Sequence, residues 1–206
     1  EWLFRRATPE ARLQLHERYD GLWQRFVKTH SNDYGFSEDD LALGNLVAEE
    51  SVYLWELIDN GAATLVHYDF RPENLMFDLS HPSRKLGVLD WQLVRGGCGL
   101  VDLAYFLCTG FRPERRRSVE DELISLYYRT LVAGGNVHYG FEQCIHDWRL
   151  SILLTFARGI FIASSSLTPP VGSRQFAMVK ELINRSIIAS RDHQVEDLLR
   201  SESSRK

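Results

Sequence analysis

Cysteine is scarce in this sequence, and none of it is arranged to bind zinc. The 206 residues include three cysteines, Cys98, Cys108 and Cys144, and no two of them form a CxxC pair. An odd number at these spacings argues against a disulfide framework and against a zinc site. No secretory signal pattern opens the chain. We therefore expect a protein of the reducing cytoplasm.

An excess of basic charge and a long apolar run are also lacking. The formal net charge is −4, which gives no sign of a nucleic-acid surface. The short basic run Arg112–Arg117 is flanked by acidic residues, and we interpret it as a solvated helix start. The most apolar stretch, Leu150–Leu167, is interrupted by Arg158 and Gly159, which predicts a buried helix rather than a membrane span. We expect no nucleic-acid or membrane partner, and the oligomeric state stays open.

Periodicity divides the chain into helices, a short β-rich segment and further helices. Apolar residues recur at helical spacing over residues 15–26 and 37–58, the first run after Thr8-Pro9 and the second after a capping box of Ser37 and Asp40. Short strands are predicted at 64–67, 74–77 and 86–90. Helices are predicted at about 100–109, 118–133, 141–166 and 173–198. The pattern indicates an α+β fold that is mainly helical, with short β-hairpins.

Polar side chains suited to catalysis lie in the β-rich segment. An apolar strand delivers His67 and Asp69, and after a loop with a fixed proline Asn74 opens the next strand. Asp90 ends a further apolar run. Phosphoryl transfer needs a carboxylate that receives the proton of the attacking hydroxyl, and oxygen ligands for Mg²⁺. Asp69 can supply the first, and Asn74 and Asp90 can supply the second.

The same residues carry a resemblance to a known family. Residues 65–77 read LVHYDFRPENLMF, residues 88–92 read VLDWQ and residues 99–107 read GLVDLAYFL. This block resembles the catalytic block of the aminoglycoside phosphotransferase and choline kinase superfamily, which has a protein kinase-like fold. Within that superfamily it is most similar to the ecdysteroid kinase-like branch and its bacterial relatives. The flanking helices are compatible with the C-terminal lobe of that fold.

The resemblance implies roles for individual residues. It makes Asp69 the catalytic base, and it makes Asn74 and Asp90 the ligands of the Mg²⁺ that accompanies ATP. His67 would brace the catalytic loop, and Asp102 would accept backbone N–H groups of that loop from the following helix. Three positions beside the site are candidates for substrate or phosphate contacts: Tyr68, Arg71 and Gln92.

Local features favour a small-molecule acceptor over a protein acceptor. In protein kinases the metal-binding Asp belongs to Asp-Phe-Gly, and a long activation segment follows it. Here Asp90 is followed by Trp91 and Gln92, and Asp102 comes only twelve positions later, which is too short for a peptide-docking segment. Tyr68 also replaces the arginine of the protein-kinase loop. We expect an ATP-dependent phosphotransferase acting on a hydroxyl of a small molecule, whose identity stays open.

Aromatic residues in the later helical region are candidates for the wall of the acceptor pocket. Aromatic faces could hold a cationic group, as a choline-like substrate would require. An aromatic stripe at helical spacing is also typical of plain core packing, and both interpretations stay open. The residues are Tyr139, Phe141, Trp148 and Phe156.

Tyr68 departs from the family pattern, which usually has glycine between the His and the Asp. Glycine permits backbone geometry that tyrosine reaches only with strain. If the loop uses an ordinary φ here, the tyrosine places a ring near the acceptor site. If the loop requires a positive φ, we expect a distorted loop or an impaired enzyme.

The parts that cover the phosphates of ATP are not found in the sequence. It has no glycine-rich phosphate loop and no strand lysine paired with a helix glutamate. Gly96–Gly99 lies after Asp90 and is predicted to be a tight turn into the next helix. Since the first residue is Glu1, we expect residues 1–206 to be a C-terminal catalytic lobe that lacks its nucleotide-clamping lobe and is inactive in isolation. The alternative is a non-catalytic kinase-like module that binds a ligand or partner.

Overall fold

The computed structural model describes residues 8–60, 62–80, 85–135 and 138–203. Within them the helices are Pro9–Thr29 (α1), Ser31–Tyr34 (α2), Glu38–Glu49 (α3), Ser51–Asn60 (α4), Leu100–Gly110 (α5), Pro113–Arg117 (α6), Glu120–Ala133 (α7), Phe141–Ser164 (α8), Arg174–Asp192 (α9) and Val195–Ser203 (α10). The strands are Ala63–Val66 (β1), Leu75–Phe77 (β2), Leu86–Val88 (β3) and Arg95–Cys98 (β4). The prediction of a mainly helical α+β fold with short β-hairpins is confirmed. The predicted loop at residues 81–84 lies outside the described residues.

Helix starts follow the predicted capping chemistry. Thr8 accepts a hydrogen bond from the N–H of Ala11 at the start of α1. Ser37 and Asp40 form the predicted capping box at the start of α3. The helical pattern predicted over 37–58 forms two helices rather than one, because α3 ends at Glu49 and the φ of −94° and ψ of 9° at Glu50 are not helical.

Two antiparallel strand pairs flank the predicted catalytic segment, residues 67–74. Strand β1 pairs with β4 in the register Ala63↔Cys98 to Val66↔Arg95, and β2 pairs with β3. The tight turn predicted at Gly96–Gly99 is therefore wrong, since three of these residues belong to β4. Backbone pairing needs no side chain, and a Cβ added at Gly99 would lie 2.8 Å from Thr64. Gly99, directly after β4, thus permits a close approach to Thr64 of β1.

Helix α8 is the centre of the core, and it packs against α1, α5 and α9. Trp148 and Phe156 of this helix are fully buried. Gly159 permits close contact with α9, because a Cβ there would lie 2.6 Å from Ile183. Gly110 does the same at the end of α5, where a Cβ would lie 2.8 Å from Pro72 of the catalytic segment. The catalytic segment therefore rests on a rigid helical support.

Arg116 differs from its predicted environment. We expected the run Arg112–Arg117 to be solvated, but Arg116 is 1% exposed. Its guanidinium donates to the carboxylates of Glu120 and Asp192. A buried arginine is stable only when it is paired, and these two carboxylates allow it to be buried between α6, α7 and α9.

The cysteines form no disulfide, as predicted. Cys98, Cys108 and Cys144 are free and buried. Burial raises the pKa of Cys98 and of Cys108 to about 12 and that of Cys144 to about 11, so these thiols are protonated near neutral pH. In the part of the chain that the structure describes, every helix is too short or too polar to cross a bilayer.

Candidate active site

The catalytic loop follows directly after β1 and is anchored by Asp102 of α5. The carboxylate of Asp102 accepts the N–H of His67 at 2.6 Å and the N–H of Tyr68 at 2.8 Å. Burial raises the pKa of Asp102, although these two hydrogen bonds and the nearby His67 and Arg158 act in the opposite direction. The first turn of α5 thereby fixes the start of the loop.

His67 links the catalytic loop to the segment that carries Asp90. The ring is 1% exposed, and its Nδ1 accepts the N–H of Asp69 at 3.2 Å. Its Nε2 therefore carries the proton and donates to the carbonyl of Leu89 at 2.7 Å. The N–H of Leu89 in turn donates to the carbonyl of Asn74 at 2.9 Å. Both the N–H and the carbonyl of Leu89 are thus hydrogen-bonded, which fixes the backbone next to Asp90 relative to the loop.

Asn74 and Asp90, the predicted magnesium ligands, carry oxygen atoms of the kind that Mg²⁺ prefers. The amide nitrogen of Asn74 donates to the backbone carbonyl of Asp69 at 2.8 Å and to its Oδ2 at 3.2 Å, which leaves the amide oxygen as a potential ligand. Asp90 has a left-handed backbone with φ of 63° and is exposed. Among the described residues, no group of three or more His, Cys, Asp or Glu side chains is placed to hold a metal. One amide oxygen and one carboxylate suit Mg²⁺, which keeps water and phosphate ligands.

Arg158 of α8 is a site residue that the sequence did not reveal. One guanidinium nitrogen donates to Oδ1 of Asp69 at 2.9 Å, and another donates to the carbonyl of Tyr68. The guanidinium also lies 4.1 Å from the ring centroid of Tyr105. The available signal was the arginine within the apolar stretch Leu150–Leu167, because a charge in a buried helix requires a partner.

Tyr68 adopts the backbone conformation that favours glycine. Its φ is +67°. The loop therefore has the positive φ for which we expected a distorted loop or an impaired enzyme. The loop nevertheless keeps its hydrogen bonds, because Asp102 accepts the N–H of Tyr68 and Arg158 donates to its carbonyl. The guanidinium of Arg95 lies 3.7 Å from the centroid of the tyrosine ring. The two hydrogen bonds of the Tyr68 backbone and the contact of its ring with Arg95 offset the strain of the positive φ.

The remaining two predicted contact residues occupy different positions. The Nε atom of Arg71 lies 3.5 Å from Oδ2 of Asp69, so Arg71 reaches the proposed base. Arg71 also lines a cavity of about 310 Å³ with Tyr105 and Arg174. Gln92 is exposed in the short 3₁₀ turn Trp91–Leu93 that follows Asp90. Arg71 therefore lies next to the proposed base, whereas Gln92 is exposed after Asp90.

A larger cavity opens beside the catalytic loop. It has a volume of about 520 Å³ and is lined by Tyr68 and Arg158 together with residues of α1, α4, α5 and α8. Its lining is mainly apolar and includes Leu15, Leu22, Trp55, Phe161, Ile162 and Leu167. Cavities of about 300–1,000 Å³ hold small-molecule ligands. The volume suits a small molecule, and two of the lining residues, Tyr68 and Arg158, are direct neighbours of Asp69.

The aromatic residues proposed for the pocket wall do not line this cavity. Tyr139, Trp148 and Phe156 are buried in the core, and the hydroxyl of Tyr139 donates to Asp147 at 2.7 Å. Phe141 lies on the surface, with its ring 5.2 Å from that of Tyr128. The pocket interpretation of these residues is wrong. Trp148 and Phe156 pack into the core from α8, Tyr139 does so from the segment before α8, and the cavity lies on another face of that helix.

Comparison with known proteins identifies the family. Acyl-CoA dehydrogenase family member 11 of Gallus gallus is 35% identical over 99 residues, which are 45% of this chain and 12% of that protein. The Homo sapiens protein of the same name is 28% identical over 188 residues, 76% of this chain and 22% of that protein. The chain thus spans less than a quarter of the length of these curated relatives. No solved structure matches it. The profile of the phosphotransferase enzyme family matches residues 4–135, well over half of the chain, and the chain belongs to that family.

Proposed function

We propose that this chain carries the catalytic and magnesium-binding part of an ATP-dependent kinase that phosphorylates a hydroxyl group of a small molecule. The observation that carries the proposal is the arrangement around Asp69. Asn74 holds its Oδ2 atom, Arg158 holds its Oδ1 atom, and Arg158 and the neighbouring Tyr68 both line a cavity. A carboxylate with a fixed orientation close to such a cavity is suited to receive a proton from a bound hydroxyl.

In the proposed reaction Asp69 accepts the proton of the acceptor hydroxyl. The hydroxyl oxygen forms a bond to the γ-phosphorus of ATP, and the bond from that phosphorus to the β–γ bridging oxygen breaks. The electron pair of the broken bond leaves with ADP. Because the two oxygens of Asp69 are held separately, the base meets the hydroxyl in one orientation, which is the main protein contribution to such a transfer.

Asn74 and Asp90 are proposed to hold the magnesium ion. When bound, Mg²⁺ neutralises charge on the β- and γ-phosphate oxygens. The hydrogen bonds of Leu89 to His67 and Asn74 hold Asn74 and Asp90 in a fixed position relative to each other. Arg71, whose side chain is 29% exposed beside Asp69, is proposed to contact the transferred phosphate.

The path of the chain after Asp90 supports a small acceptor. A single 3₁₀ turn follows, then β4 returns to pair with β1, and α5 begins at Leu100. Residues 91–99 are therefore occupied by compact structure, and they leave no room for an activation segment that would dock a peptide. An acceptor that enters the cavity beside Asp69 is compatible with this geometry.

The nucleotide-clamping lobe is proposed to come from sequence outside these residues. The β2–β3 hairpin supports this proposal, because Met76 and Phe77, on opposite faces of β2, are 59% and 63% exposed. A hairpin with exposed apolar residues on both faces is suited to contact another part of the protein. The narrower resemblance to the ecdysteroid kinase-like branch and the cytoplasmic location remain predictions.

A direct test is acceptor-dependent consumption of ATP by the full-length protein. We expect ADP to form only when a hydroxylated small molecule and Mg²⁺ are both present, and we expect EDTA to abolish the reaction. A peptide with serine and threonine residues serves as the control acceptor. Phosphorylation of the peptide, or binding of small molecules without any binding of MgATP, would contradict the proposal and favour a protein kinase or a non-catalytic module respectively.

A further inference from the structure

We propose that the 520 Å³ cavity selects an acceptor with an apolar body and a negatively charged group, and that Arg18 and Arg95 bind that group. The inference rests on the proposed function, because it takes the ligand of the cavity to be the phosphate acceptor. It adds the chemical class of that acceptor. It draws on the charges and contacts of the cavity lining rather than on the catalytic loop.

The interior of the cavity is suited to hydrocarbon. Leucine, isoleucine and aromatic side chains from α1, α4 and α8 form most of the lining. Burying apolar ligand surface against them favours binding. Aminoglycosides and sugars carry polar groups on all sides, and such groups would lose hydration here without gaining hydrogen bonds. The interior therefore favours an acceptor whose body is largely apolar.

Three arginines line the cavity, and only one of them is neutralised there. Arg158 is paired with Asp69. The guanidinium of Arg18 lies 5.1 Å from the ring centroid of Phe161, and that of Arg95 lies 3.7 Å from the ring centroid of Tyr68. In the described part of the chain neither Arg18 nor Arg95 has a carboxylate within ion-pair distance, and no Asp or Glu lines the cavity.

The hydrogen-bonding groups of the lining are predominantly donors. The guanidinium groups of Arg18 and Arg95 can only donate. Tyr19 and Trp55 also line the cavity, and their buried hydroxyl and indole N–H have no partner among the described residues. A ligand that brings acceptor oxygens and negative charge complements this lining. A cationic ligand would meet like charge on the rim, so the choline-like and aminoglycoside acceptors that the family resemblance leaves open are disfavoured.

Tyr68 connects this cavity with the reacting groups. Its ring lines the cavity and stacks on Arg95, and its backbone lies between Asp102 and Arg158. An apolar acceptor anchored at Arg18 and Arg95 thus lies next to the loop that presents Asp69. The proposal places the acceptor hydroxyl on the apolar body rather than within the charged group.

The test is binding of three probes of equal chain length to the full-length protein by titration calorimetry. The probes are decanoate, decanol and decyltrimethylammonium, each below its micelle concentration and without nucleotide. We expect decanoate to bind about tenfold or more tightly than decanol, since a charge-assisted hydrogen bond contributes about 1.5–3 kcal/mol. We expect the ammonium probe to bind most weakly.

Arginine variants locate the effect. Arg18→Gln and Arg95→Gln should each weaken decanoate binding about tenfold and leave decanol binding unchanged. Arg25→Gln is the matched control, because Arg25 is an exposed arginine of α1 that does not line the cavity. Equal affinity for decanoate and decanol, tighter binding of the ammonium probe, or unchanged decanoate affinity in both variants would overturn the inference.

Two further outcomes separate this inference from the proposed kinase function. Displacement of decanoate by ADP in a competitive manner would assign the cavity to the nucleotide and overturn the inference while supporting a nucleotide site. Arginine-dependent binding of decanoate to an Asp69→Asn variant would support the inference without any catalysis. If hydroxylated decanoates then bind but are not phosphorylated by the wild-type protein, the kinase function fails and the anion-binding cavity stands as a ligand site.

Discussion

Arg158 and Asp69 form an ion pair across 89 positions of sequence, with 2.9 Å between the guanidinium nitrogen and Oδ1. The pair joins the catalytic loop to α8, the helix at the centre of the core. Gly159, the next residue, permits α8 to lie close to Ile183 of α9, so the backbone that carries the arginine is held by packing. The orientation of the proposed base therefore depends on a residue far from the catalytic motif.

Replacing Arg158 with methionine should reduce turnover while leaving nucleotide binding unchanged. The variant removes the contacts to Asp69 and to the carbonyl of Tyr68, so the carboxylate is no longer held in one orientation. Because misplacement by about 1 Å can cost about 100-fold in rate, we expect kcat to fall by ~10–100-fold with MgATP affinity within about twofold. Steady-state kinetics and calorimetry measure the two quantities.

The matched control for that variant is Arg149→Met. Arg149 is also on α8, but its guanidinium donates to the carbonyls of His193 and Gln194, between α9 and α10. We expect lower stability without a change in kcat. Equal losses of kcat in the two variants would show that Arg158 contributes only to folding. Arg158→Lys, which keeps the charge, should recover part of the activity.

Replacing Tyr68 with glycine should separate backbone strain from ligand contact. A positive φ costs a non-glycine residue roughly 1–2 kcal/mol, whereas glycine loses about 0.5–1 kcal/mol through chain entropy and the ring contacts contribute a similar amount. We expect the free energy of unfolding to change by less than about 1 kcal/mol. The KM for the acceptor should rise, because the ring lines the cavity.

Gln194→Gly provides the comparison for Tyr68. Gln194 also has a positive φ, of 49°, but it lies between α9 and α10 and is exposed. We expect unchanged kinetics in this variant. An unchanged acceptor KM in Tyr68→Gly would contradict a role of the ring in acceptor binding, and a large loss of stability would contradict the presence of strain.

Asp102→Ala should detach the start of the catalytic loop. The carboxylate accepts two backbone N–H groups, of His67 and Tyr68, and both would lose their partner in a partly buried environment. Leaving buried donors unsatisfied costs about 1–3 kcal/mol each. We expect a destabilisation of about 2–4 kcal/mol in chemical denaturation, together with a loss of kcat. Retained stability with full activity would exclude the anchoring role.

The buried cluster around Arg116 should make the fold sensitive to acid. Burial would raise the pKa of Glu120 and of Asp192, but hydrogen bonds from His193 and Arg116 to Glu120, and from Arg117 and Arg116 to Asp192, outweigh it and lower both pKa values. Lowered folded-state pKa values stabilise the fold above the unfolded values of about 4.3 and 3.9. That stabilisation is lost as the pH falls through the lowered folded-state values.

Arg116→Met is the variant that checks the acid sensitivity. It leaves two carboxylates without their buried partner, so we expect a loss of about 3 kcal/mol at pH 7 and a shallower loss of stability between neutral and acid pH. Arg115→Met, in the same basic run but exposed, should change stability by less than about 0.5 kcal/mol. The same pH dependence in wild type and Arg116→Met would contradict the assignment.

The catalytic segment can be predicted from sequence because its residues are close together in the chain. His67, Asp69 and Asn74 lie within one loop, and their spacing reflects local geometry that the backbone imposes. The capping box of Ser37 and Asp40 and the buried helix over most of Leu150–Leu167 are predictable for the same reason, since helical periodicity and capping are local properties.

The cavity and the contacts of Arg158 depend on tertiary packing and could not be predicted. Helical spacing indicates that Phe156 and Phe161 are apolar positions of α8, but it does not show which helix faces each of them. Phe156 is buried in the core, whereas Phe161 lines the cavity. The strand at Gly96 and Gly97 was missed because glycine-rich sequence favours turns locally, while pairing with β1 is a long-range interaction. The positive φ of Tyr68 is likewise set by Asp102 and Arg158.

The most direct test of the central claim compares Asp69→Asn and Asp90→Asn with wild type in the full-length protein. Binding of MgATP and acceptor-dependent formation of ADP are measured on the same preparations. If Asp69 is the base and Asp90 holds the magnesium ion, Asp69→Asn should bind MgATP as wild type does and lose at least about 100-fold in turnover. Asp90→Asn should lose MgATP affinity. Turnover retained in Asp69→Asn, or MgATP affinity retained in Asp90→Asn, would contradict the account.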